Sequence, residues 1–209
     1  MFERKFVENT KQAYDQLVEY LDENCKPGSN RLSCIIPHLY ISDFSTACDY
    51  NLLKKTGIKI IINLSMNGKS YKVKQKYKKH NISEIHLPID DSMQQDLHQT
   101  ISQTYQLIKR SLNMNTSVLI HCDMGISRAS SITTAFLLRH FYLKNITKQN
   151  WKKTVSAFNI WTCEIIKFVH SKRACVRPNS NFIQQLLNLE YYLKTTWIQT
   201  IQAQQTDQV

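Results

Sequence analysis

Cys122 and Arg128, five residues apart within His121-Cys122-Asp123-Met124-Gly125-Ile126-Ser127-Arg128, are the side chains of this sequence best placed to do chemistry together. Val118, Leu119 and Ile120 lead into the His-Cys pair as an apolar strand, and Ile132 to Tyr142 follow Arg128 as a run nearly free of charge. That pattern predicts a strand, a tight loop and a helix buried on most sides. A sulfur at the N-terminal mouth of such a helix lies among backbone N–H groups that lack carbonyl partners, at the positive end of the helix dipole. Both features favour the thiolate, which is the nucleophilic form. The same N–H groups, with Gly125 permitting close backbone approach, form a nest for a tetrahedral dianion. Arg128 adds a planar fork able to hold two oxygens at once. Nucleophile, anion cradle and cation thus fall in one short segment, the requirement for attack of sulfur on a bound phosphate ester. A structural cysteine beside a helix-capping arginine is the plainer alternative.

The elements that must position this loop follow from apolar periodicity. Residues 2–24 carry Phe6, Tyr14, Leu17, Val18 and Leu21 among charged neighbours, an amphipathic helix stopped by Pro27-Gly28-Ser29-Asn30. Residues 33–36 and 39–41 read as two short strands broken at Pro37-His38. Asp43 or Ser45 can cap a helix through Ala47, Leu52 and Leu53 that ends at Gly57. Residues 58–64 form a central strand, and residues 85–89 another that delivers Asp90-Asp91-Ser92 into a loop. A carboxylic acid on that loop can protonate a departing oxygen and later take a proton from water, and either aspartate meets the requirement. A helix with Leu97, Ile101, Tyr105, Ile108 and Leu112 inside follows. Between residues 66 and 81, Lys69, Lys72, Lys74, Lys76, Lys78 and Lys79 surround Tyr71 and Tyr77, a solvated segment or a basic face that steers acidic substrates.

The segment His121-Cys122-x-x-Gly125-x-Ser127-Arg128 resembles the signature loop of cysteine-dependent protein tyrosine phosphatases, in the form used by small dual-specificity phosphatases. Pro37-x-Leu39-Tyr40-Ile41 and Gly57-Ile58-x-x-Ile61-Ile62-Asn63-Leu64 resemble the opening half of such a domain. Residues 171–182 resemble its Arg-x-x-x-x-Pro-Asn-x-Gly-Phe segment, with Asn181 in place of glycine, a residue that still caps or adopts positive φ. The resemblance spans about residues 33–195. It implies an α/β fold, a central mixed, mostly parallel sheet flanked by helices. It also implies Cys122 as nucleophile, Arg128 and the amides of residues 123–128 as phosphate ligands, and His121 as support from beneath the loop. The family's Pro-apolar-x-Asp pattern implies Asp91 as the acid, with Asp90 as the alternative. No cofactor or metal is implied. The sequence departs from the family in an insert at 148–161, and in Ala129, where many relatives carry Ser or Thr to help sulfur leave; Ser130 points about 100° away around the helix. Slow breakdown of the phosphoenzyme is expected.

These features divide the chain into an N-terminal helix and turn at 1–30, a catalytic domain at 31–197 and a polar tail at 198–209. At 209 residues with 42% hydrophobic and 21% charged residues, one globular domain is expected, with no run of membrane-spanning length. The start has no signal-peptide pattern, so a cytoplasmic or nuclear protein with six reduced cysteines is expected. A net charge of +11 favours acidic partners. The expected substrate is a phosphoprotein, phosphorylated on tyrosine or on serine and threonine, because the Lys-Asn-Arg-Tyr loop that deepens tyrosine-specific pockets is lacking. Asp123 and Ile126 stand where lipid-directed relatives carry lysines, and a carboxylate there disfavours polyanions. Nucleic acid is therefore not favoured as partner. A phosphoprotein-binding module with little turnover, and an RNA 5′-phosphatase, are the alternatives. The sequence does not fix the oligomeric state.

Overall fold

A computed structural model describes residues 2–26, 31–68, 71–145 and 160–206. The elements in chain order are α1 (Phe2–Asn24), β1 (Leu32–Ile36), β2 (Leu39–Ser42), α2 (Phe44–Ala47), α3 (Tyr50–Lys55), β3 (Ile58–Asn63), α4 (Tyr71–Lys79), β4 (Ser83–His86), α5 (His98–Asn113), β5 (Ser117–His121), α6 (Arg128–Asn145), α7 (Trp161–Lys172) and α8 (Ser180–Thr206). The strands form one sheet in the order β1-β2-β5-β3-β4. Only the β1–β2 pair is antiparallel. Its tight turn places His38 at φ 67, after Pro37 has ended the first strand. The mixed, mostly parallel sheet of the α/β expectation is therefore present.

Alternation along the strands divides the core. Val118 and Ile120 of β5, with Ile62 of β3, face a cluster that includes Tyr105, Ile108, Ile132, Phe136 and Val169 from α5, α6 and α7. Leu119, Ile58 and Ile61 face the opposite side and pack with Ala47, Leu53 and Tyr77 from α2, α3 and α4. All five residues of β5 are buried, because helices cover both faces of the strand at the middle of the sheet. β3, read as central from the sequence, is interior and paired on both sides. Gly57 closes α3 at φ 69, the left-handed conformation that a glycine enters most cheaply. Leu17 and Leu21 of α1 pack against Ile166, Ile183 and Leu186 in a third cluster, so α1 is a strut on the helical face.

Three expectations differ from the structure or fall outside it. The fourth strand covers 83–86 rather than 85–89, because Pro88 has no N–H to extend the ladder; Leu87 and Ile89 still donate to Asn63 O (2.9 Å) and Leu64 O (3.3 Å). The last helix runs to Thr206, past the boundary placed at 197. The insert at 148–161 lies outside the described residues except for Ile160, which precedes α7, and Trp161, which opens it. Among the described residues, no helix is long and apolar enough to cross a membrane.

Candidate active site

The carboxyl ends of β2, β3 and β5, with the chain that leaves β4, open on one edge of the sheet, the edge at which parallel α/β sheets hold ligands. Residues 122–127 pass from β5 to α6 there, and every carbonyl in the turn is held from outside. Cys122 O faces His121 Nδ1 at 3.2 Å, and because a carbonyl only accepts, that nitrogen carries the proton. Asp123 O accepts from Phe44 N–H at 3.0 Å. Arg173 takes Met124 O (3.1 Å) with Nη2 and Gly125 O (2.9 Å) with Nε. Ile126 O accepts from Arg177 N–H at 3.0 Å, and Ser127 O from Ser131 N–H at 2.9 Å. In a trans peptide the C=O and the following N–H point opposite ways, so anchoring these carbonyls outward turns the N–H groups of residues 123–128 into the hollow. Gly125 shows the result, donating its N–H to Cys122 Sγ at 3.2 Å. No residue with a Cβ fits at Gly125: φ is +67, and a Cβ would lie 2.5 Å from Ser42 O.

Cys122 is 2% exposed at the floor of this turn. The Arg128 side chain extends from the first residue of α6 along the wall. Its Nη1 reaches Ile89 O (3.2 Å) and Leu64 O (3.5 Å), and its Nη2 meets Asp123 Oδ2 at 2.5 Å. Its Nε is buried without a hydrogen-bond partner, 3.7 Å from Asp91 Oδ2. Burial works against the guanidinium charge, but the Asp123 hydrogen bond and the electrostatic influence of Cys122, Asp123 and Asp91 outweigh it and raise the arginine pKa. The reciprocal holds for Asp123: burial disfavours its charge, yet Arg128, with help from Ser65 and His121, holds the carboxyl below the usual range.

Asp91 Oδ1 accepts from Ser127 Oγ (2.7 Å) and Asn179 Nδ2 (2.8 Å), which sets the carboxylate at the mouth beside Arg128. Asp90 is exposed; its backbone N–H goes to Gln95 Oε1 (2.8 Å), and among the described residues its side chain makes no bond to the loop. Of the two sequence candidates for the acid, the structure brings Asp91 to the cysteine loop and leaves Asp90 aside. The segment bearing it is stapled to α8: Asn181 Nδ2 donates to Gln95 O (2.9 Å), and Gln185 takes Gln95 O (2.8 Å) and Leu97 N–H (2.8 Å). Asn181 is thus neither a cap nor a positive-φ residue, since it lies within α8 and is outside the left-handed region. Ala129 is fully buried, and Ser130 Oγ is committed to Ile126 O (2.6 Å) and Ser127 O (2.7 Å).

A family model described as dual specificity phosphatase, catalytic domain, matches residues 39–149, more than half of the chain. The chain belongs to the dual specificity phosphatase family. It is 28% identical over 163 residues to human dual specificity protein phosphatase 9, covering 77% of this chain and 36% of that protein. It is 28% identical over 177 residues to the tyrosine-protein phosphatase yvh1 of Schizosaccharomyces pombe, covering 84% of this chain and 46% of that protein. The chain thus spans less than half the length of these two relatives. Human DUSP28 superposes with a TM-score of 0.64 at 20% identity, over 81% of this chain and 99% of that one. A mouse structure solved as a complex with zinc tungstate gives 0.65 at 22% identity, over 83% and 95% of the two chains. Arg173 and Asn179, which brace the loop and Asp91 in this dual specificity phosphatase domain, were not singled out as site residues from sequence. Their only signal was the Arg-x-x-x-x-Pro-Asn spacing.

Proposed function

We propose that the chain is a metal-independent protein phosphatase that hydrolyses phosphotyrosine and phosphoserine or phosphothreonine through a phosphocysteine intermediate. The observation behind this is the ring of outward-held carbonyls with the Gly125 N–H directed at Cys122 Sγ. Such a ring presents inward N–H groups to the three non-bridging oxygens of a phosphate dianion, and Arg128 Nε adds a donor that needs an acceptor. Cys122 sulfur attacks phosphorus in line and forms the S–P bond as the P–O bond to the side chain breaks. Asp91 gives its proton to the departing oxygen, then takes one from the water that opens the phosphocysteine and releases inorganic phosphate. The amides and the guanidinium neutralise the equatorial oxygens, which is the work a metal does elsewhere. Tungstate, bound in the mouse neighbour, is a tetrahedral dianion of the same form.

Asp91 and Asp123 stand partly exposed at the rim, with side chains 34% and 46% accessible, and Met124 is 65% exposed. This low rim supports acceptance of the short phosphoserine and phosphothreonine side chains alongside phosphotyrosine. The free thiols, Cys122 among them, suit the reducing cytoplasm or nucleus. The test is release of phosphate from an aryl phosphate and from phosphotyrosine and phosphothreonine peptides, with chelator present. Turnover that vanadate blocks and Cys122→Ser removes supports the proposal; phosphopeptide binding with no release by the unmutated protein sinks it in favour of a capture module.

A further inference from the structure

An arginine holds an oxyanion best along the edge formed by Nε and Nη2, which presents two parallel N–H groups. In Arg128 the opposite nitrogen, Nη1, is committed to the carbonyls of Ile89 and Leu64, which fixes the plane of the guanidinium. On the ligand-holding edge, Nε lies buried without a hydrogen-bond partner, while Nη2 is taken by Asp123 Oδ2 at 2.5 Å. Arg128 is 7% exposed, and the groups that act on its charge are Cys122 at the floor of the turn and the two rim carboxylates, Asp123 and Asp91. Asp123 differs from Asp91 in where it comes from. It is the residue directly after the nucleophile, its own carbonyl is pinned by Phe44 N–H, and its side chain stands at the rim, 46% exposed.

We propose, resting on the phosphatase function above, that Asp123 is a specificity-determining residue. It is a resident carboxylate that shares the Arg128 edge with the incoming phosphate and restricts the site to isolated phosphate monoesters, against substrates with a second phosphate beside the first. Two effects follow. Any dianion must share or displace the Asp123 contact before it takes both donors, so phosphate binding is weaker than the cradle alone would give. A fixed negative charge within a few ångströms of the reacting group also repels each further charge on the ligand, by roughly three- to thirtyfold in affinity at an effective dielectric between that of a protein surface and that of bulk water. A phosphorylated protein side chain carries no such further charge, whereas a pyrophosphate or polyphosphate ester does.

Calorimetric binding of inorganic phosphate and of pyrophosphate to the Cys122→Ser chain, with and without Asp123→Asn, tests this without requiring turnover. The expected result is tighter phosphate binding in Asp123→Asn, by roughly three- to thirtyfold, and a larger gain for pyrophosphate than for phosphate. In the otherwise native enzyme, Asp123→Asn should lower the KM for an aryl phosphate by a larger factor than it changes kcat. Asp123→Ala should move binding the same way, and Asp123→Glu, which keeps the charge, should not. An equal gain for both anions, or no gain, overturns the proposal. Should Asp123→Asn not fold, Asp123→Ala decides, together with the parent chain, in which pyrophosphate binding tighter than phosphate would also overturn it. If the native enzyme hydrolyses nothing while the binding series behaves as expected, the phosphatase function fails and the role of Asp123 in anion selection stands.

Discussion

Among the described residues, two clusters that join carboxylates to a buried cation are built to opposite ends. Glu190 and Lys194 of α8 are 0% and 2% exposed, with Lys194 Nζ at 2.6 Å from Glu190 Oε1. Glu190 also accepts from Trp161 N–H (3.0 Å), Thr162 N–H (2.9 Å) and Thr162 Oγ1 (2.8 Å). It caps the first turn of α7 and closes the pair against water, so its acceptor capacity is spent. In the Asp91–Arg128–Asp123 cluster both carboxylates reach solvent, and one buried guanidinium N–H lacks an acceptor. The saturated cluster joins two helices, while the unsaturated one keeps a buried donor, Arg128 Nε, that the proposed function assigns to an anion. What tells them apart is which polar atoms are left without partners, not how many charges meet.

Substitutions sharpen the contrast, because one cluster should register in catalysis and the other in stability. Arg128→Lys keeps the charge but loses the fork, and kcat/KM should fall about a thousandfold, on the order of 4 kcal/mol, in steady-state assays with little change in melting temperature. Lys194→Met leaves Glu190 buried without its cation and should cost about 3–5 kcal/mol of stability, read as a lowered denaturation midpoint, while the surviving folded fraction keeps its kcat. Asp91→Asn should lower kcat about a hundredfold for poor leaving groups, less for an activated aryl phosphate, whereas Asp90→Asn should do little. Ala129→Ser should raise turnover about fivefold, the worth of one hydrogen bond to the departing sulfur, and equal steady-state rates for the two proteins would contradict that role.

Sequence and structure agree where the signal is local. The apolar run 118–120, the Cys-to-Arg spacing and Gly125 each constrain the backbone within a few residues, and all three took the conformations expected. Arg173 was legible only as part of a spacing pattern, because its partners are the carbonyls of Met124 and Gly125, 49 and 48 positions earlier in the chain. Asn179 and Ser127 meet at Asp91 from three separate segments, and no periodicity predicts such a meeting. The Asp123–Arg128 contact was hidden for a different reason. Both residues were placed in the loop, but the turn of the chain that brings their side chains together depends on the carbonyl anchors, which are long-range. α8 runs on through residues 202–206, which are polar and carry no amphipathic signal of their own.

The central claim is that Cys122 forms a covalent bond to phosphorus, and rapid quenching of the enzyme with a phosphorylated aryl substrate tests it most directly. With Ala129 slowing the second step, a burst of released phenol close to one equivalent is predicted, with phosphate recovered on the peptide containing Cys122. Phosphate release with no burst and no phosphate on Cys122 would contradict the account.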